Sequence, residues 1–307
     1  MDNLPNDIIN KIKDNIIFKP KTKQELKKAV DEYTSCSFHH KAENYYGHIS
    51  NWDTSLITDM SYLFDEKEFF NKDISKWDVS SVTNMRYIFS GANLFNQNLN
   101  SWDVSSVTDM SGMFISAKSY NQPLDSWDVS SANDMCQMFS HCENFNQQLN
   151  KWNVKSVTDM SFMFQGALSF NQPLNSWDLS SVNNMSFMFS HALSFNQPLD
   201  SWDVSSVTNM ICMFENASLF NQPIDSWDVS SVTNTVCMFK KASSFNQPLS
   251  SWDVSSVVSM NYMFEKATSF NQPIESWDSS WDVSSVNNIV DWKTYLWNMV
   301  KKIFSFL

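Results

Sequence analysis

The chain has 307 residues with thirteen Trp but only four Gly, and Gly47, Gly91, Gly112 and Gly166 each stand alone, so no Gly-rich loop exists to cradle a phosphate or a dinucleotide and P-loop and Rossmann chemistry are excluded. A balance of 42% hydrophobic to 18% charged residues suits an ordered protein. The net charge of −12 is localised: residues 51–290 carry ten Lys or Arg against twenty-five acids, whereas residues 1–50 come to +1 and residues 291–307 to +2, an acidic body that argues against a nucleic-acid partner.

No apolar run reaches the ~18 residues of a membrane span, and the first twenty residues lack the apolar core of a secretory signal. No transmembrane segment and an intracellular location are therefore expected, and five Cys, an odd number, fit a reducing compartment. At the N-terminus, Leu4-Pro5-Asn6-Asp7-Ile8-Ile9-Asn10-Lys11-Ile12 resembles the opening helix of an F-box, the module that docks a Skp-type adaptor of ubiquitin ligases. The remaining F-box helices have no room before residue 22. Thr22-Lys23-Gln24-Glu25-Leu26 opens an N-capped helix, and residues 1–45 read as an N-terminal helical cap. Cys36, His39, His40 and His48 cluster here, with a spacing that matches no zinc finger.

From residue 46 the chain repeats. Trp falls at 52, 77, 102, 127, 152, 177, 202, 227, 252 and 277, a spacing of 25 without insertion, which is the signature of a stacked repeat array. Within a unit, Leu124-x-x-Trp127-x-Val129 predicts a short strand with Trp and Val inward and Asp128 outward. Val107, Met110, Met113, Phe114 and Ala117 recur at helical spacing behind a capping box at Ser106–Asp109 and predict two to three helical turns. Pro123 and its equivalents at 173, 198, 223, 248 and 273 fit the strand entry. The expected fold is an α/β repeat solenoid over residues 46–290: a right-handed, leucine-rich-repeat-like coil of short parallel strands and short helices.

The run Tyr46-Gly47-His48-Ile49-Ser50-Asn51-Trp52-Asp53 followed by Val-Thr-Asn-Met-x-x-Met-Phe units resembles the BspA-like leucine-rich-repeat family, whose 25- or 26-residue repeats occur in bacterial surface lipoproteins and in large DNA viruses. The resemblance implies a solenoid cited for surface attachment or as a domain of unknown function. It also makes a surface adhesin one alternative reading, and a viral source would place the protein in the host cytoplasm or the virion. The usual Asn of the leucine-rich-repeat turn is absent, Ala132 standing three residues beyond Val129.

In such an array one repeat position becomes a column, and candidate sites are columns. Asp53, Asp78, Asp103, Asp128, Asn153, Asp178, Asp203, Asp228 and Asp253 form one. Its functional reading is a cation ladder, with Asp103, Asp128, Asp178, Asp203 and Asp228 as candidates. Its structural reading is an Asx-type turn onto Ser130 and its equivalents, preferred because no coil adds a second regular acid. Asn96 through Asn271 form a ladder that satisfies loop backbone. The column Tyr87, Gly112, Gln137, Phe162, Phe187, Cys212, Cys237, Tyr262 varies, so Tyr87, Phe162, Phe187 and Tyr262 are the candidates for a protein interface. Cys212 and Cys237 fall in adjacent coils, open to a disulfide or to two buried thiols. His141 and His191 stand two coils apart, too far to share a metal, and no nucleophile–base pair can be assembled.

At the C-terminus the period slips, Ser276-Trp277-Asp278-Ser279 being followed by Ser280-Trp281-Asp282-Val283, which leaves open whether Trp277 or Trp281 enters the last coil. Trp292, Tyr295, Leu296, Met299, Val300, Ile303, Phe304 and Leu307 give an amphipathic helix over 291–307, read as a cap, with membrane-surface contact as the alternative. The chain is thus expected to be a non-enzymatic protein-interaction or scaffold protein, without cofactor and with an unidentified protein partner. A substrate-recruiting adaptor of a ubiquitin ligase is the other alternative.

Overall fold

The computed structural model describes residues 17–274, apart from 36 and 38, together with Trp277. The F-box-like segment at 4–12, Trp281 and the capping helix expected over 291–307 lie outside the described residues. Helix α1 (Lys23–Thr34) opens on Thr22, whose Oγ1 accepts from Glu25 N–H at 3.2 Å, while Glu25 Oε2 reaches back to Lys21 N–H at 2.7 Å, a reciprocal cap. Helix α2 (His39–Tyr46) and a 3-10 turn at Ile49–Asn51 follow. α1 buries Leu26, Ala29, Val30 and Tyr33, and Tyr33 and Tyr46 meet the Trp52 ring edge-on at 5.7 and 5.9 Å. Lys19 pairs with Asp53 at 2.7 Å and Lys23 with Asp59 at 3.0 Å, so basic side chains of the N-terminal segment meet acids of the first coil.

The α/β solenoid of strands and helices is overturned: among the described residues the repeats contain no α-helix and no strand, α1 and α2 lie ahead of the first Trp, and the 3-10 turn at Ile49–Asn51 sits at the start of the first coil. Where a helix was expected, the chain makes consecutive tight turns. Met110, Gly112, Phe114 and Ser116 donate their N–H groups to the carbonyls of Asp134, Cys136, Met138 and Ser140 in the next coil, at 2.7–3.0 Å. The intervening Met113, Ile115 and Ala117 donate to the carbonyls three residues back, at 2.9–3.2 Å. Gly112 and Ser116 take φ of 59° and 57°, and a left-handed residue at every fourth position cannot belong to a right-handed helix. The apolar spacing i, i+3, i+4 that suggested a helix is met equally well by this turn chain.

The expected strand is likewise a turn. Trp127 N–H donates to Leu124 O at 3.2 Å within its own coil, and the Asp128 side chain then bends the chain. Parallel pairing survives as isolated bridges joining residues 59, 84, 109, 134, 159, 184, 209, 234 and 259, one position per coil.

The core is columnar. Phe64, Phe89, Phe114 and their equivalents to Phe264 stack at 5.4–5.8 Å. Each also packs on a second aromatic of its own coil, as Phe139 does on Phe145 at 4.1 Å. Every Trp from 77 to 277 donates its indole Nε1–H to the Leu or Ile carbonyl three residues before the preceding Trp, at 2.8–3.3 Å. Trp277 makes this bond to Leu249 O and stacks on Trp252 at 6.3 Å, so Trp277 continues the column. Trp52, with no coil before it, buries its Nε1 without a partner.

Trp152→Phe removes the indole bond to the buried Leu124 carbonyl, which keeps only its bond from Trp127 N–H, and this loss costs about 0.5–1.5 kcal/mol. Trp52→Phe removes a donor that has no acceptor, so denaturant unfolding should find the second substitution clearly milder than the first.

Candidate functional site

Two left-handed positions recur in each coil, four residues apart, and they build the surface on which side chains vary. The first runs Tyr62, Tyr87, Gly112, Gln137, Phe162, Phe187, Cys212, Cys237, Tyr262, with φ between 51° and 60°; the second runs Glu66, Gly91, Ser116, His141, Gly166, His191, Asn216, Lys241, Lys266. The sequence-predicted interface residues Tyr87, Phe162, Phe187 and Tyr262 therefore do share a column, though it is a line of turns and not a helix face.

Along it Tyr62 stacks on Tyr87 at 5.2 Å and Phe162 on Phe187 at 4.6 Å. Arg86 lies over the Tyr87 ring at 5.1 Å and Lys240 over the Tyr262 ring at 5.6 Å, cation–π contacts that orient the rings. Tyr62 and Tyr262 are 43% and 49% exposed, and Tyr87, Phe162 and Phe187 are half-buried. Tyr87 leans across Gly112, donating its hydroxyl to Gln137 Oε1 at 2.6 Å two coils away. A Cβ at Gly112 would fall inside the Tyr87 ring's van der Waals shell. The same device operates in the second column, where the His141 ring covers Gly166; His191 Nδ1 is within 3.0 Å of Ser190 Oγ.

The invariant columns are occupied by internal hydrogen bonding. Each Asn from 71 to 246 accepts at Oδ1 from the N–H of the next coil's Asn at 2.9–3.0 Å and from the following Gln Nε2 at 2.8–3.1 Å. The exposed Asp103, Asp128, Asp178, Asp203 and Asp228 each accept at Oδ1 from the N–H two residues on at 3.0–3.1 Å, and all but Asp128 also take the same Ser hydroxyl at 2.6 Å. These are Asx turns, and the Ser hydrogen bonds lower the pKa of Asp128, Asp178 and Asp228. Among the described residues no three His, Cys, Asp or Glu side chains are grouped to hold a metal ion. Cys36 and the His39 side chain lie outside the described set, and His48 Nδ1 pairs with Glu43 Oε1 at 2.8 Å.

Sequence reasoning missed two features. One is a second acid column on the bridge line, where Asp109, Asp134 and Asp159 follow one another. Burial, and then the flanking Asp109 and Asp159, raise the Asp134 pKa. The other is a cleft of about 580 Å³ between the N-terminal helices and the first coil, lined by Tyr33, His40, Lys67, Glu68, Phe69 and Phe70 among others. Its available signal was the first coil's Lys67-Glu68-Phe69, which replaces the usual Ala-x-Ser and leaves Phe69 83% exposed.

These features define a repeat protein of stacked 25-residue coils with one variable aromatic column. A family model described as "Mycoplasma protein of unknown function, DUF285" matches three overlapping stretches, 33–148, 123–218 and 197–303. The chain belongs to that family. No curated protein and no solved structure matches it. No helix among the described residues is long and apolar enough to cross a membrane.

Gly112→Ala should lower the melting temperature by forcing Tyr87 aside, and adding Tyr87→Ala should recover part of the loss; equal effects in both backgrounds would detach the glycine from the tyrosine. Asp134, whose folded pKa lies above its unfolded value, destabilises the fold at neutral pH, and this penalty vanishes once pH falls below the unfolded value near ~4. Asp134→Asn is therefore expected to raise the melting temperature at pH 7, with the gain disappearing under acid conditions.

Proposed function

We propose that the protein is a non-enzymatic scaffold that binds a protein partner along its variable aromatic column. The observation that carries this reading is the contrast between columns. Trp, Phe, Asn and Asp positions are written nearly identically in every coil and are consumed by internal bonds, whereas the Tyr87–Tyr262 line changes from coil to coil and leaves ring surface accessible. A uniform column presents the same chemistry everywhere and gives a partner no register; a varied one does. Aromatic side chains at a surface supply most of the affinity of protein interfaces. The acidic body favours a partner with a basic rim. Resemblance to BspA-like repeats, a finer assignment than the family itself, agrees with an interaction role.

The test is capture by the immobilised intact chain beside a Phe162→Ala/Phe187→Ala variant. A bound protein should be retained by the first and lose about tenfold or more in affinity for the second, with the variant's cooperative melting preserved. Equal retention by both would sink the aromatic column as the interface, and a defined small-molecule turnover abolished by one substitution would overturn the non-enzymatic reading.

A further inference from the structure

We infer that Cys212 and Cys237 form a dithiol site that closes to a disulfide between adjacent coils when a small-molecule disulfide is supplied. The two residues hold the same column position, with φ of 51° and 56°. Cys212 N–H donates to Val236 O at 2.9 Å, which fixes Cys212 beside Cys237 in register. Backbones hydrogen-bonded side by side run ~4.8 Å apart, inside the Cα separation that a disulfide spans. The same column holds the Phe162 and Phe187 rings 4.6 Å apart, so side chains in this line converge on their neighbours. Both thiols are free, and each perturbs the other's ionisation. The remaining described cysteines have no such partner: Cys136 accepts from Ser161 Oγ at 3.2 Å, and the buried Cys142 donates to Ala117 O at 3.1 Å.

Access is unequal, which orders the chemistry. Cys212 is 7% exposed and Cys237 half-buried, and burial raises both thiols, with the Lys240 charge opposing the rise at Cys237. Cys237 therefore reacts first. It loses its proton to solvent, and its thiolate attacks one sulfur of oxidised glutathione. The reagent's S–S bond breaks, one glutathione thiolate leaves and takes up a proton, and a mixed disulfide remains on Cys237. Cys212 then loses its proton and attacks Cys237 Sγ, expelling the second glutathione. Two protein thiols are oxidised and one reagent disulfide is reduced to two thiols. The bridge would staple two coils across a 25-residue period and constrain the unfolded chain.

The intact native protein is incubated with oxidised glutathione at mildly alkaline pH, alkylated and digested with trypsin. Residues 156–240 contain no Lys or Arg before Lys240, and their only cysteines are 212 and 237. The expected result is that this fragment loses the mass of two hydrogens and takes up neither alkylating agent nor glutathione. The oxidised protein should also melt several degrees higher, and Cys212→Ser should abolish both effects while Cys136→Ser abolishes neither. Two glutathione adducts on the fragment, covalent dimers, or unchanged thiols in the native protein under conditions that oxidise the denatured chain would each overturn the inference.

Discussion

Half of the backbone donors in each turn chain have no acceptor within their own coil. Met110, Gly112, Phe114 and Ser116 must reach the coil 24 residues on, and a buried N–H left without a partner costs about 1–3 kcal/mol. Holding a non-glycine residue in the left-handed region costs roughly 1–2 kcal/mol. The first magnitude matches or exceeds the second, so left-handed turns that aim donors at a neighbour are tolerated even at Phe162, Phe187 and Cys212. The same arithmetic makes a lone coil untenable, and it makes the period rigid: an inserted residue would displace every donor from its acceptor. Two further networks, the Trp indole bonds and the Asn Oδ1 ladder, enforce that one register.

The period, the columns and their parity were legible in the sequence. Trp127 is buried and Asp128 exposed, as alternation about that tryptophan implies, and Asp128 turns onto Ser130. The local conformation was not legible. Apolar residues at i, i+3 and i+4 face inward from a helix and from a chain of three-residue turns alike, so periodicity cannot separate them. The discriminating signal lay in the glycines. Gly112 and Gly166 stand at the two left-handed positions, each beneath a large side chain of the preceding coil. At most coils those positions hold Tyr, Phe, Cys or Lys, which no local preference would assign to positive φ.

The candidate surface follows from the same backbone. A left-handed residue at the end of one turn and the start of the next sends its side chain out of the Phe and Trp stacks and along the coil edge, toward the next coil. Its volume is therefore weakly constrained, and one column can carry Tyr, Gly, Gln, Phe and Cys in succession without disturbing the core. Where a small residue leaves room, the preceding side chain fills it: Tyr87 crosses Gly112 to reach Gln137. Variation in this line thus creates contacts between non-adjacent coils as well as differences in exposed chemistry.

The ends of the stack show what the interior coils receive from their neighbours. Trp52 keeps its stacking on Trp77 at 6.0 Å but has no preceding carbonyl for its indole N–H. Tyr33 of α1, Tyr46 of α2 and Phe18 ahead of α1 cover the ring with aromatic edges instead, Phe18 at 5.1 Å. Apolar shielding by a non-repeating segment replaces the hydrophobic part of a coil's contribution but not its hydrogen bond. The first coil also departs from the repeat at Lys67, whose ammonium pairs with Asp31 of α1 at 2.7 Å. The Lys67 departure at this end therefore adapts one coil to a helix, whereas departures along the left-handed column occur where the backbone leaves side chains free to differ.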